Sequence, residues 1–339
     1  MNTNFASLLS FLRGRRSLVI SLTVSLVLGT ALGLLAANAL RASVAVRGAG
    51  DLPGKDRQHS GLAAAQAPAK APNPRNTAAG DATRRFITVN PGDTVDFGDR
   101  LVSLGTGAGL LHRIGLSGRY RAVSSGHAVI EVGRGKVKRQ VYLFVSPVPS
   151  RHVTREDVDW YKTQYGTGIA NCGPALVSMA ILWSRGKDIP VQQIRTEIGY
   201  PNDDGGTSFD DLGGSLGRHG VSYRSPTLSS PRDLVSILDH GHLAFVLIQS
   251  GDIQKVKGDP TANLVGRYYD DDEGHYVLVK GYSLDRNYFV VYDPYPVDWE
   301  SNSLRYADEV TMIGKNRYYS AQQLFDALKT RMVIEVTPD

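Results

Sequence analysis

The chain has 339 residues, of which 42% are hydrophobic and 21% charged. At roughly 100 to 200 residues per domain this exceeds a single small module, and it holds too much apolar side chain for a wholly disordered protein. Residues 1–150 carry 19 Lys and Arg against 7 Asp and Glu, whereas residues 151–339 carry 19 against 26, so the net +5 hides an acidic larger module. That module would repel a phosphate backbone and has no cluster of Arg and Lys with aromatics, so no nucleic-acid partner is expected. The lone cysteine, Cys172, excludes an intrachain disulfide and a multi-thiolate metal centre, which leaves packing or reactivity.

In chain order, residues 1–16 hold Arg13, Arg15 and Arg16 and precede residues 17–40, 24 positions without a charged side chain. As a helix these would span about 36 Å, enough for a hydrocarbon core of about 30 Å. The positive-inside rule keeps residues 1–16 cytoplasmic and sends everything after Leu40 across the membrane. A cleavable signal peptide is the rival reading, because Ala37-Asn38-Ala39 is an A-x-A pattern, but the run exceeds the usual apolar core of about 7 to 15 residues. The expected placement is the cell membrane, single-pass with the main module extracytoplasmic, or secretion if the segment is cleaved. Residues 41–83, rich in Ala, Pro, Gly and Asn from Gly48 onward, cannot bury a core and read as a flexible linker.

Residues 84–150 change character. FITV, YRAV, HAVIEVG and VYLFVS are short alternating or β-branched runs separated by Gly and Asp turns, which predicts a small all-β domain. Its PGDTVDFGD opening and the HAVIEV and VYLFVS strands resemble bacterial immunoglobulin-like domains. No catalytic set occurs in it. His112 and His127 have neither metal-ligand spacing nor an obvious acidic partner and read as structural or surface groups. The expected role is a spacer or a docking surface for a protein partner.

Residues 151–339 hold the chemistry. Asn171 precedes Cys172, Pro174 is tolerated in a first turn, and Ala175 to Trp183 is apolar enough for a buried helix ending near Gly186. Cys172 is thus placed at a helix N-terminus, where backbone N–H groups and the positive dipole end favour an anion, and the thiolate is the nucleophilic form of cysteine. Of the histidines that follow, His219, His240, His242 and His275, the last opens an apolar run, Tyr276 to Val279, that reads as a core strand closing at Gly281. The next strand, NYFVVYDPY, ends at Asp293-Pro294, where proline stops the ladder and leaves a carboxylate at the strand end. Adjacent strands would bring His275 and Asp293 together, giving nucleophile, base and orienting carboxylate. Gln164, eight residues before Cys172, could point its amide at a carbonyl oxygen under attack, with the Cys172 backbone N–H as second donor of an oxyanion hole.

Gln164, NCGPA around Cys172, GHYVLVKGY around His275 and DPY at Asp293 together resemble the papain-like bacterial cysteine peptidases related to bacteriocin-processing, double-glycine leader peptidases. GGTSFDDLGGSLGRHG, residues 205–220, resembles the segment between cysteine and histidine in that group. The resemblance covers about residues 155–335 and implies an α+β papain-like fold, with a helical part bearing the cysteine packed on an antiparallel sheet bearing histidine and aspartate. It implies Cys172 as nucleophile, His275 as general base, Asp293 as its orienting partner, Gln164 as oxyanion donor, and a peptide or protein substrate. Unlike the bacteriocin exporters, this chain has no ATPase module.

Plainer readings stand beside this one. A free cysteine is commonly a core residue, and His219 and the His240-Gly241-His242 pair read as loop or surface groups. No second ligand pair has the usual spacing, so no metal is expected, and no cofactor is implied. Asp270 to Glu273 and Asp203-Asp204 do not follow a calcium-loop alternation and read as solvated acidic loops. Trp160, Tyr161, Trp183 and Trp299 read as core or cleft lining. Two further functions compete with the peptidase: a catalytically idle papain-fold module that binds peptides at the cell surface, and a cell-wall amide hydrolase or transamidase on the same fold. Against the latter, no DCSG-like string accompanies the cysteine.

Overall fold

The structure, a computed structural model, describes residues 84–338 except 99–100, 117, 135, 165–169, 200–204 and 297–303. The apolar run at 17–40, the linker at 41–83, Asp203-Asp204 and Trp299 lie outside the described residues. No helix among the described residues is long and apolar enough to cross a membrane.

Seven strands come first: β1 (Arg84–Val89), β2 (Thr94–Asp96), β3 (Leu101–Leu104), β4 (Leu111–Arg113), β5 (Arg119–Ala122), β6 (Gly126–Arg134) and β7 (Val137–Val145). They form one sheet in the order β1-β7-β6-β3 and a second in the order β2-β5-β4. β1 runs parallel to β7, and the other pairs are antiparallel. The alternation expected of half-buried strands is present. Ala128, Ile130 and Val132 of β6 and Val141, Leu143 and Val145 of β7 turn to one core, which Val95, Leu111 and Tyr120 complete from the second sheet. Burying each larger side chain of this kind is worth about 1.5 to 3 kcal/mol.

The rest of the chain forms β8 (Ser150–His152), α1 (Cys172–Arg185), α2 (Val191–Ile198), α3 (Phe209–Arg218), β9 (Tyr223–Arg224), α4 (Pro231–Asp239), β10 (Leu243–Gln249), β11 (Gly274–Ser283), β12 (Tyr288–Tyr292), β13 (Arg317–Ser320), α5 (Ala321–Asp326) and β14 (Ile334–Val336). Their antiparallel sheet has the order β13-β12-β11-β10-β14-β9, with β8 also on β11. β8, which begins at Ser150, pairs with β11 and so belongs to this sheet.

The central strands are apolar at successive positions because both sheet faces are covered. Leu243, Phe245, Tyr276 and Leu278 pack into the core that α1 fills, while Val246, Ile248, Val277 and Val279 pack with Leu234, Leu238 and Leu324 of α4 and α5. α1 is apolar nearly all round for the same reason, with every residue from Gly173 to Trp183 buried. It ends where Gly186 adopts φ 68° and donates its N–H to the Leu182 carbonyl, a conformation glycine reaches without steric cost.

The expectation that β11 closes at Gly281 is corrected by two residues. The strand continues to Ser283 through a bulge between Val279 and Gly281. β8 explains the glycine, since a Cβ at 281 would lie 2.4 Å from the Arg151 carbonyl oxygen.

Candidate active site

Cys172 is the first residue of α1 and is half-buried. Two contacts fix the approach to it. Gly173 lies against α3 so closely that a Cβ would meet Thr207 Oγ1 at 2.3 Å and Leu212 at 2.9 Å, which lets the cysteine turn sit on the start of α3. Arg195, 1% exposed on α2, donates to the Ala170 carbonyl at 3.2 Å and the Gly205 carbonyl at 2.9 Å, tying the turn before Cys172 to the approach of α3. Ser208 caps α3 in a reciprocal pair with Asp211, satisfying N–H groups that would otherwise lack partners.

β11 and β12 are neighbours, and the pairing Leu278↔Tyr292 brings the start of one beside the end of the other. His275, at the start of β11, places its Nε2 2.8 Å from Oδ1 of Asp293, the residue after β12, with both side chains essentially fully buried. Cys172 lies close enough to act electrostatically on the His275 ring. Burial alone would disfavour the imidazolium, but the charge and hydrogen bond of Asp293, with the influence of Cys172, outweigh it and raise His275 to about 10. Asp293 moves the other way. Burial works against its charge, and the His275 charge together with hydrogen bonds from His275, Tyr319 and the Tyr295 N–H hold it below the usual carboxylate value.

The carboxylate is held from four directions. Oδ1 accepts from His275 and, at 3.0 Å, from the Tyr295 N–H, while Oδ2 accepts from the Tyr269 hydroxyl at 3.1 Å and from the Tyr319 hydroxyl. Hydrogen bonds to a charged group are worth about 1.5 to 3 kcal/mol each. The Asp293 backbone is fixed as well: its carbonyl accepts from Tyr161 at 2.7 Å and its N–H donates to the Gly314 carbonyl at 2.9 Å. Tyr269 and Tyr295 stack with centroids 4.0 Å apart, and each meets the His275 ring edge to face, at 5.9 and 5.6 Å. The imidazole is thus fixed by aromatic walls as well as by its hydrogen bonds.

Gln164 is 1% exposed, and its backbone N–H donates to the Pro294 carbonyl at 2.9 Å, one residue past Asp293. The structure thus brings His275 and Asp293 into a direct pair, sets Cys172 beside His275 and ties Gln164 to the turn that bears the aspartate. Sequence reasoning missed Tyr269, Tyr319, Gly314 and Arg195. Tyr295, two residues after Asp293 in DPY, carried a local signal; the others are distant in sequence and among 16 tyrosines and 36 glycines had none.

The remaining candidates lie elsewhere. His219 follows α3 and pairs with Glu197 at 2.7 Å. His242 Nδ1 bonds Glu335 at 2.6 Å, and His240 Nδ1 bonds the Ser236 carbonyl at 2.7 Å, so the adjacent histidines take separate structural partners. Among the described residues no group of three or more His, Cys, Asp or Glu is arranged to hold a metal ion. In the acidic loop Asp270 pairs with Lys255, Asp271 accepts from the Tyr295 hydroxyl, and Asp272 accepts from Gln249 and the Gly251 N–H. His112 is exposed, but His127 is buried.

A helix-borne cysteine packed on an antiparallel sheet that bears a histidine–aspartate pair defines an α+β, cysteine-peptidase type of fold. Residues 155–323 match the Peptidase_C39 like family. Two solved structures are similar over 53% of this chain. One is the peptidase domain of Streptococcus ComA, described as a bi-functional ABC transporter involved in a quorum sensing pathway, with 15% identity, 99% of that chain covered and a TM-score of 0.34. The other is a putative C39-like peptidase from Bacillus anthracis, with 12% identity, 94% of that chain covered and a TM-score of 0.36. No curated protein matches the chain.

Proposed function

We propose that the protein is a cysteine peptidase that hydrolyses peptide bonds with Cys172 as nucleophile, His275 as acid and base, Asp293 as orienting carboxylate and Gln164 as oxyanion donor. The observation that carries this is the buried His275–Asp293 pair, with the histidine held strongly basic and influenced by the only thiol of the chain. The imidazole takes the thiol proton, and the thiolate sulfur attacks the substrate carbonyl carbon. The developing oxyanion is met by the Gln164 amide and the Cys172 N–H. His275 then gives its proton to the leaving amine, and water assisted by His275 cleaves the acyl-enzyme and regenerates the thiol. Asp293 keeps the ring oriented and stabilises the imidazolium.

The substrate is a peptide or protein, and no cofactor enters the scheme. The arginines before the apolar run at 17–40 support an extracytoplasmic site, tethered or secreted. Thiol-dependent cleavage of a peptide library by the full chain, abolished by Cys172→Ala, is the expected result. Peptide binding that survives the substitution, with no cleavage by the unaltered chain, would instead favour an idle binding module.

A further inference from the structure

We propose that the seven-stranded β unit acts on the candidate active site through His127, a positioning residue that holds the 304–316 segment against Asp293 and releases it when protonated. The inference rests on the peptidase reading only for the consequence at Asp293.

His127 stands on β6 and is 8% exposed. Its ring lies between Phe144 of β7 and Tyr306 of the 304–316 segment, with centroids 4.6 Å away on both sides and interplanar angles of 26° and 20°. The Lys315 backbone also acts on the ring, and its carbonyl accepts the Tyr306 hydroxyl at 2.9 Å. Lys315 follows Gly314, the residue that receives the Asp293 N–H. Gly314 sits so tightly that a Cβ would lie 2.0 Å from the Asp293 carbonyl oxygen and 2.4 Å from the Tyr161 hydroxyl. A continuous path therefore runs from β6 through Lys315 and Gly314 to the backbone of Asp293, whose carboxylate holds His275.

The surroundings suit only a neutral imidazole. His127 Nε2 is buried and meets no hydrogen-bonding group among the described residues. The charges of Lys315 near the end of the segment, Arg317 at the start of β13 and Lys280 on β11 all act on it. The nearby acids are committed elsewhere: Asp159 pairs with Lys315 at 2.7 Å, Asp308 accepts from Thr311, and Asp293 holds His275. A second imidazole, half-buried His152 on β8, meets Phe144 edge-on at 5.9 Å and bonds Ser146 at 2.9 Å. Burial first, then Lys315, Lys280 and Arg317, keep His127 well below its usual 6.5, with the Lys315 backbone opposing them. The sign follows: the released state binds the proton and the closed state does not. Acid below about pH 6.5 thus opposes closure by up to about tenfold per pH unit, until the closed-state value is reached.

The test compares hydrogen exchange of residues 304–316 in the full chain and in His127→Phe, which keeps a stacked ring but cannot be protonated. At equal pH intrinsic exchange cancels. The expected result is a protection ratio, wild type over variant, that falls by up to about tenfold per pH unit below about 6.5. His152→Gln is expected to retain the wild-type acid response. A ratio independent of pH, or an acid response that follows His152 instead, overturns the proposal; if His127→Phe fails to fold, His127→Gln serves in its place. Iodoacetamide alkylation of Cys172 separates the two readings. An unreactive thiol in every protein sinks the peptidase reading, while the exchange ratio still decides the role of His127.

Discussion

Asp293→Asn isolates the charge that holds His275. The amide is nearly isosteric, can still accept from His275 Nε2 through its oxygen, and can donate to the Tyr269 and Tyr319 hydroxyls once these rotate. What disappears is the negative charge 2.8 Å from the imidazole. An opposite charge at such range moves a pKa by about 1 to 3, which corresponds to about 1.4 to 4 kcal/mol. His275 should therefore fall from about 10 toward its ordinary 6.5. The assay is the pH profile of peptide cleavage beside an NMR titration of the His275 ring, since the leaving amine needs the protonated imidazole. The alkaline limb should move to lower pH with the NMR midpoint. Stability has its own sign. The raised His275 contributes fully below about pH 6.5 and loses its contribution as pH rises through about 10, whereas the lowered Asp293 loses its contribution as pH falls below its ordinary 3.8. Breaking the buried pair should cost about 3 to 5 kcal/mol at neutral pH. An alkaline limb and a ring titration both unmoved by the substitution would refute the claim that Asp293 sets the basicity of His275.

Three further outcomes follow from the same contacts. Tyr319→Phe removes a donor to the buried carboxylate, should cost about 1.5 to 3 kcal/mol in urea unfolding, and should shift acid unfolding to higher pH; an unchanged acid midpoint would count against the Oδ2 contact. Gly314→Ala forces a methyl onto the Asp293 carbonyl and the Tyr161 hydroxyl and should lose about 1 to 3 kcal/mol; wild-type stability would show that the segment yields freely. Lys280→Met replaces a buried ammonium that lies over Trp160 and Tyr292 and, among the described residues, donates to the Asn316 amide oxygen at 3.2 Å. Burial, then Lys315, depress Lys280 to about 7, so its penalty is fully present below that pH and vanishes above its ordinary 10.5. Calorimetry should find the variant more stable at pH 6 than the parent, with the gain fading toward alkaline pH; a destabilised variant at both pH values would show that the ring contacts outweigh the burial.

The parts of the fold that local chemistry encodes could be read from the sequence. The apolar run behind Asn171-Cys172, closed by Gly186, specifies α1, and the alternation in 126–145 specifies β6 and β7, because side-chain period and terminator residues act within a few positions. His275 and Asp293 were legible for the same reason, each standing where an apolar strand begins or ends. The strand length of β11 was not, because Gly281 answers to the Arg151 backbone 130 residues away rather than to a local turn.

Sequence alone therefore determined which elements present the candidate groups: a cysteine at a helix start, a histidine at a strand start and a carboxylate at a strand end. Only the tertiary structure decided what holds those groups. Tyr269, Tyr319, Gly314 and Arg195 come from separate loops, helices and strands, and His127 from another sheet. Their roles arise from the cost of burying a charge or a backbone polar group without partners. That cost is met by whichever side chains the fold brings near, and no spacing along the chain records it.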